Sequence, residues 1–180
     1  MDLHILPECY VDTNLVETIV PPTNSGYSHR QGCDSVAKAM MEAPRLKDGF
    51  ALGIVDQDKK RLKYSEEFEL ITDRTHLKLL KHPLKDHYLI YIVPAIEKFI
   101  IYNADEVNVD LRDFGLPHNY KELTKHTKNK DSSKNPKFKK LFKALINAEA
   151  PGVMLLSKWI LYLKDHPNNS NLDFFREDEE

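Results

Sequence analysis

The alternation of apolar and polar segments predicts strands and helices over the first hundred residues. Apolar runs at residues 3–6 and 50–55 are typical of buried strands, and the second is the clearest strand in the chain. Between them, apolar residues recur at helical spacing over residues 15–20 and 36–41. A proline follows each of these segments and ends the predicted helix, because proline cannot continue the backbone hydrogen-bond ladder.

The order strand, helix, helix, strand predicts right-handed parallel crossovers and therefore an α/β layer fold. Two further strands are predicted at residues 67–72 and 87–93. We therefore expect a mostly parallel central sheet of about four strands flanked by helices. Asp12 or Thr13 is expected to cap the first helix, and Gly32 to open the second.

The pattern changes beyond about residue 115, where strand signals disappear. Helices are predicted near residues 119–127, 136–148 and 151–165. The polar, lysine-rich segment 128–135 is the best candidate for a linker. We expect an α/β domain over residues 1–115 and a helical C-terminal extension over residues 116–180 packed on it.

Composition places the chain among ordinary globular proteins. Its 180 residues are 41% hydrophobic and 30% charged, and the net charge of −2 means that any basic surface must be local. The first ten residues lack the pattern of a signal peptide, and no apolar run approaches the roughly 20 residues that cross a bilayer. Two cysteines make no disulfide framework, so we expect a cytoplasmic protein without a membrane partner.

Acidic residues follow two of the predicted strands. Glu8 lies just past the first strand, and Asp56 and Asp58 lie just past the strand at 50–55. Parallel neighbours are about 4.8 Å apart, so both strand ends can bring carboxylates around one ion. Mg²⁺ prefers oxygen ligands, and two or three carboxylates suffice because it keeps several waters. An isolated Asp-x-Asp is more often a solvated loop, but the acid after a separate strand favours a metal site.

The same residues resemble the Toprim domain of bacterial primases, topoisomerases, small RNA-maturing nucleases and OLD-family nucleases. Leu-Pro-Glu-Cys-Tyr-Val-Asp at residues 6–12 is similar to the strand that ends in Glu, with Cys9 where glycine is usual. Gly32 matches the glycine turn that precedes a helix in this family. Residues 53–58 match its strand that ends in Asp-x-Asp. In residues 92–99 a proline follows a predicted strand and precedes a helical Glu, which is similar to the corresponding segment of small Toprim and OLD-related proteins. The resemblance covers roughly residues 1–105 and implies a Toprim-like Rossmannoid fold.

The resemblance also implies roles for the acidic residues. Glu8 would be the acid/base or metal-bridging carboxylate, and Asp56 and Asp58 would hold Mg²⁺ or Mn²⁺. Asp12 and Glu97 are candidate ligands of a second ion. The alternative for Asp12 is a cap of its helix, and the alternative for Glu97 is a surface acid of its helix. The implied activity is metal-dependent hydrolysis of phosphodiester bonds in RNA or DNA. An ATPase partner and a role in anti-phage defence are implied by the resemblance alone.

Two basic segments are candidate contacts to a nucleic acid substrate. Nine lysines fall between Lys121 and Lys143, opposed by two acidic residues, and could neutralise phosphates. A second group of basic residues directly follows the Asp-x-Asp and consists of Lys59, Lys60, Arg61 and Lys63. Runs of lysine are usually solvated helix faces. Substrate binding is favoured here only because a nuclease must hold a polyanion. The predicted substrate-binding residues are Lys59, Lys60, Arg61, Lys137, Lys139 and Lys140.

Other classes of function stay open. A catalytically silent Toprim-like module would bind nucleic acid or an ATPase partner without turnover. For either function, a homodimer is a candidate alternative to an ATPase partner. A phosphoacceptor or phosphatase domain would use Asp56, but the Lys-Pro pair of receiver domains is missing after the last strand, where only Val93-Pro94 stands. Haloacid-dehalogenase-type phosphatases place Thr after Asp-x-Asp, whereas Lys59 follows here. Zinc is not expected, because the eight histidines and two cysteines show no zinc spacing.

Overall fold

The computed structural model describes residues 2–57 and 63–176. Five strands and six α-helices lie within these ranges: β1 (Ile5–Pro7), α1 (Tyr10–Ile19), α2 (Cys33–Glu42), β2 (Ala51–Asp56), β3 (Glu69–Arg74), β4 (Leu77–Lys81), β5 (His87–Ile92), α3 (Ile96–Glu106), α4 (Tyr120–Thr127), α5 (Pro136–Asn147) and α6 (Pro151–Asp165). The predicted α/β class is confirmed.

The strands form one open mixed sheet in the order β1-β2-β5-β4-β3. β2 pairs in parallel with both β1 and β5, whereas β4 pairs antiparallel with β5 and with β3. The prediction of about four mostly parallel strands was therefore wrong in its details, because two of the five strands form a β3–β4 hairpin that pairs antiparallel with β5. The arrangement remains compatible with a Rossmann-like fold.

The strand that sequence reasoning missed, β4, follows an unusual turn. Thr75 and His76 connect β3 to β4, and both have positive φ angles, of 49° and 65°. Two-residue hairpin turns of this kind normally use Asn and Gly, which tolerate positive φ. Since neither residue occurs here, the turn carried no sequence signal, and the hairpin was read as a single strand.

A further segment runs along the outer edge of β1. Asp2 and Tyr27 form an isolated parallel bridge, and the amides of Ser28 and Arg30 donate to the carbonyls of Ile5 at 3.1 Å and Pro7 at 2.9 Å. Residues 26–30 therefore continue the hydrogen bonding of the sheet beyond β1. This pairing brings residues 28–30 to the carboxyl end of β1.

The first helix begins earlier than its apolar pattern suggested. Cys9 is its N-cap, and the Cys9 Sγ accepts from the Asp12 amide at 3.4 Å while the Asp12 carboxylate accepts from the Cys9 amide at 3.0 Å. Asp12 thus closes a capping box from the third helical position and is not the cap itself. Gly32 is the N-cap of α2 with a φ of 89°, a conformation that favours glycine.

Helices cover both faces of the sheet. Leu52 and Ile54 of β2 pack in a large cluster with α1, α3, α5 and α6, while Ala51 and Val55 face a smaller cluster with α2. The alternation follows from the two-residue period of a strand. The predicted C-terminal helices are present, and their apolar side chains lie in the same cluster as those of the sheet. No helix among the described residues is both long and apolar enough to cross a membrane.

The lysine-rich segment predicted as a linker is tied to the first helix. Residues Lys130–Ser133 form a 3₁₀ turn, and Ser132 is buried. The Asn14 side chain, itself 3% exposed, donates to the carbonyl of Ser132 at 2.7 Å and to that of Asn135 at 3.2 Å. These hydrogen bonds fasten the segment between α4 and α5 to the helix that follows β1.

Replacing Asn14 with alanine is expected to lower the free energy of unfolding by about 2–3 kcal/mol, because two carbonyl groups lose their buried donor. Chemical denaturation followed by circular dichroism measures the change. The exposed Asn169→Ala is the matched control and should have an effect within about 0.5 kcal/mol of zero. Equal stabilities of the two variants would show that the segment is not held by Asn14.

Candidate active site

Three buried carboxylates meet at one edge of the sheet. Glu8 directly follows β1, Asp56 is the last residue of β2, and Glu97 is the second residue of α3, which follows β5. Their exposed fractions are 1%, 6% and 6%. All three line one cavity of about 320 Å³. The three parallel strands end at the same edge, so the structure brings together acids that are far apart in the sequence.

Two hydrogen bonds fix the first two carboxylates relative to the backbone. The Asp56 amide donates to Glu8 Oε2 at 3.0 Å, and the Ile96 amide donates to Asp56 Oδ1 at 3.0 Å. Ile96 is the first residue of α3, so Asp56 places negative charge at the N-terminus of that helix, where the helix dipole stabilises it. Glu8 and Asp56 are thus held in defined orientations at the cavity wall.

The third carboxylate is held by the C-terminal part of the chain. The Thr127 hydroxyl at the end of α4 donates to Glu97 Oε1 at 2.5 Å, and the side chains of both residues are buried. Thr124, Thr127 and Lys128 line the cavity together with the carboxylates. The helices after residue 115 therefore complete the wall of the site.

Asp12, predicted as a second-ion ligand, has a different place. It is fully buried, and one of its carboxylate oxygens accepts from the Cys9 amide in the capping box. It does not occur among the described residues that line the cavity. Its position therefore matches the alternative of a helix-capping residue.

Several predicted site residues lie outside the described part of the chain. Asp58, Lys59, Lys60 and Arg61 fall in the range 58–62, between β2 and the 3₁₀ turn at Lys63–Glu67. Their proposed roles as a metal ligand and as substrate-binding cations stay predictions.

The predicted basic residues of the C-terminal third are exposed on the surface. Lys137, Lys139 and Lys140 lie on α5, where the Lys137 ammonium donates to the Gly115 carbonyl at 3.0 Å. None of the three is among the described cavity-lining residues, whereas Lys128 is. Lys130 and Lys134 line a second groove. The lysine that lines the cavity among the described residues is therefore not one of the predicted substrate-binding residues.

Cys9 lies in the cavity wall between the carboxylates and α1. Its φ of −120° is ordinary extended backbone, so this position does not require the glycine that the Toprim pattern has there. Burial raises the pKa of the Cys9 thiol well above its ordinary value, and the negative charge of Asp12 raises it further. The thiol is therefore protonated at neutral pH and is not a nucleophile there.

Sequence reasoning also missed His29, Gln31 and Thr127, which line the same cavity. His29 and Gln31 belong to a polar stretch without periodicity, and they reach the site because residues 26–30 run beside β1. Thr127 arrives from a helix more than 100 residues along the chain from Glu8. The sequence signal that placed the segment of His29 and Gln31 near the site was the glycine turn at Gly32, which directly follows it.

The set of ligands at this edge is chemically suited to a hard divalent cation. Glu8, Asp56 and Glu97 all supply carboxylate oxygens, and the cavity leaves room for the waters that Mg²⁺ or Mn²⁺ retains. Within residues 2–57 and 63–176, no group of three or more His, Cys, Asp or Glu side chains is arranged as a metal site. The three carboxylates fit such an ion by their chemistry and share one cavity, but in this structure they do not form a grouped coordination site.

No protein-family model matches this chain, and neither the curated proteins nor the solved structures contain a significant match to it.

The raised pKa of Cys9 predicts slow modification of its thiol. In a Cys33→Ser variant, which retains only Cys9, reaction with a disulfide reagent at pH 8 should be at least about tenfold slower in the native protein than in denaturant, because the thiolate is the reacting form. Absorbance of the released thiol measures both rates. The Cys9→Ser variant reports the contribution of Cys33. Equal native and denatured rates at Cys9 would contradict the assignment.

Proposed function

We propose that the protein is a metal-dependent nuclease that hydrolyses phosphodiester bonds of RNA or DNA. The observation that carries the proposal is the convergence of Glu8, Asp56 and Glu97 on one cavity at the carboxyl ends of parallel strands. Ligands bind at this edge in open α/β sheets. The order of the acids along the chain also resembles the Toprim pattern, which supports the same activity.

In this proposal Glu8, Asp56 and Glu97 hold Mg²⁺ or Mn²⁺. Such an ion, when bound, polarises water and offsets the charge that develops on the phosphate oxygens. The protein orients the carboxylates beforehand, because Asp56 and Glu97 are already hydrogen-bonded to Ile96 and Thr127.

A polyanionic substrate needs cationic groups near the carboxylates. Lys128 lines the cavity, and Lys130 and Lys134, which follow it closely in the sequence, line the second groove. The exposed ring of Tyr120 also lines the cavity, with the Lys98 ammonium 5.5 Å from its centre. Aromatic rings beside lysines offer a surface for stacked bases and phosphates. This rim supports nucleic acid as the class of substrate.

The test of the proposal is cleavage of a mixed RNA and DNA panel with Mg²⁺ or Mn²⁺. Glu8→Gln, Asp56→Asn and Glu97→Gln keep the size of each side chain and remove its charge. Each is expected to lower the rate at least about a hundredfold and to weaken Mn²⁺ binding, measured by calorimetry, because a carboxylate ligand is lost. Thermal melting of each variant shows whether it folds.

The matched control for these variants is Glu42→Gln, which removes an exposed carboxylate at the end of α2 and should keep full activity. Activity that is unchanged in all three cavity variants would overturn the proposal. Loss of Mn²⁺ binding in the variants, together with a wild type that binds nucleic acid but cleaves no substrate, would favour the catalytically silent module instead.

Lys128→Gln is expected to weaken substrate binding and to reduce the dependence of log K on log salt by about one contact, because one phosphate loses its cation. Binding of a fluorescent single strand at several salt concentrations measures both effects. Lys47→Gln, which removes an exposed lysine at the opposite end of β2, is the control and should change neither. Identical salt slopes for wild type and Lys128→Gln would place the substrate elsewhere.

A further inference from the structure

We propose that the cavity takes one unpaired nucleotide of a single strand, with its base stacked on Tyr120, and that it excludes duplexes. The inference rests on the proposed function and narrows its class of substrate. It is carried by the burial of the carboxylates, by the size of the cavity, and by the exposed ring and lysines at its rim.

The carboxylates lie at the buried part of the cavity, whereas its rim is on the protein surface. Glu8, Asp56 and Glu97 have exposed fractions of 6% or less. Tyr120 and Lys128 line the same cavity and are exposed. The cavity therefore leads from a surface rim to acids inside the protein. A phosphate approaches those acids, or an ion held by them, only if the strand that carries it enters the cavity.

The volume of the cavity suits one nucleotide and not a double helix. Its 320 Å³ or so lies at the lower end of the range for pockets that enclose a small molecule, roughly 300–1,000 Å³. A duplex is a convex cylinder, so a nucleotide enters such a pocket only after it has been unpaired and unstacked, which costs free energy. A single strand does not have this pairing energy to overcome.

The Tyr120 ring supplies a stacking face at the rim. Tyr120 is the first residue of α4 and is 39% exposed. Among the exposed large hydrophobic residues of the described ranges, it is the one aromatic residue. Stacking on an aromatic ring tolerates any sequence, because every base has a π-face, but it requires a base that is free of its neighbours. The ring therefore favours unpaired strands.

Two exposed lysines place positive charge beside this ring. The Lys98 ammonium lies over the Tyr120 ring, 5.5 Å from its centre, and Lys128 lines the cavity. A strand whose base stacks on Tyr120 brings its phosphates near Lys98, because the cation and the stacking face belong to the same contact. Aromatic rings combined with cations that neutralise phosphates are what hold single strands without sequence preference.

A duplex would have to use a different surface. Lys137, Lys139 and Lys140 lie on α5, and none of them is among the described residues that line the cavity. A double helix laid across α5 could contact these lysines through its phosphates without entering the cavity. A preference for duplexes that does not depend on Tyr120 would therefore identify α5 as the binding surface and contradict the inference.

The test compares one short fluorescent strand, made as DNA and as RNA, in its single-stranded and duplex forms. Ca²⁺ replaces Mg²⁺ so that binding is measured without turnover, and fluorescence anisotropy gives the affinity of each form. The single strand is expected to bind at least about fivefold more tightly than the duplex, the factor that corresponds to one weak base–aromatic stack.

Tyr120→Ala should weaken single-strand binding about fivefold to a hundredfold and leave duplex binding unchanged, because one stacked base is lost. Tyr120→Phe keeps the ring and should bind like the wild type. Leu161→Ala, which removes an exposed apolar side chain on α6, is the matched control and should change neither affinity. Thermal melting of each variant shows whether it folds.

A tryptophan introduced at the rim reports stacking directly. The chain has one native tryptophan, Trp159, which is 1% exposed, so its emission should not respond to nucleic acid. The emission added in Tyr120→Trp should be quenched by the single strand and not by the duplex, because a base stacks on the indole. The emission added in Leu161→Trp should respond to neither form.

Equal binding of the two forms, or a Tyr120→Ala variant that binds single strands like the wild type, would overturn the inference whether or not the protein cleaves. Cleavage of a duplex as fast as of its single strand would overturn the inference and leave the nuclease activity standing. A wild type that binds single strands through Tyr120 and cleaves nothing would overturn the nuclease activity and support the single-strand site. A wild type that neither binds nor cleaves either form would overturn both.

Discussion

The hydrogen bonds of Asp56 connect the three chain segments on which the candidate site depends. Its amide binds the carboxylate that follows β1, and its own carboxylate binds the first amide of α3, which follows β5. These bonds are possible because β2 pairs in parallel with both neighbours, so all three strands end at one edge. A shift in the β1–β2 register would separate Glu8 from Asp56. A shift in the β2–β5 register would leave the first amide of α3 without its acceptor.

The same side chains therefore serve the fold and the site. Asp56 stabilises the start of α3 while it lines the cavity, and Glu97 joins α3 to α4 through Thr127. Asp12 lies close to Glu8 in the sequence, but its carboxylate is used in the capping box of α1. A residue that caps a helix and one that faces a ligand can thus differ by a single helical turn, and the direction of the side chain decides between the two roles.

The C-terminal helices are part of the site as well as of the core. Thr127 orients Glu97, and Lys128 supplies a cation at the cavity rim. Asn14 fastens the following turn to α1, so the position of this wall depends on the helix next to Glu8. The two parts of the chain that differ in sequence pattern consequently build one cavity between them, and a site description limited to the first 115 residues is incomplete.

The sequence alone determined the α/β class, most helices and the placement of acids after two strands, because periodicity and strand-end position are local properties. Tertiary structure decided what depends on pairing between distant segments. The β3–β4 hairpin turned at Thr75 and His76 without a turn signal, and His29 reached the cavity through hydrogen bonds to β1. Thr127 met Glu97 only because α4 packs on α3. Such contacts join residues with no shared pattern, so only the assembled fold brings them together.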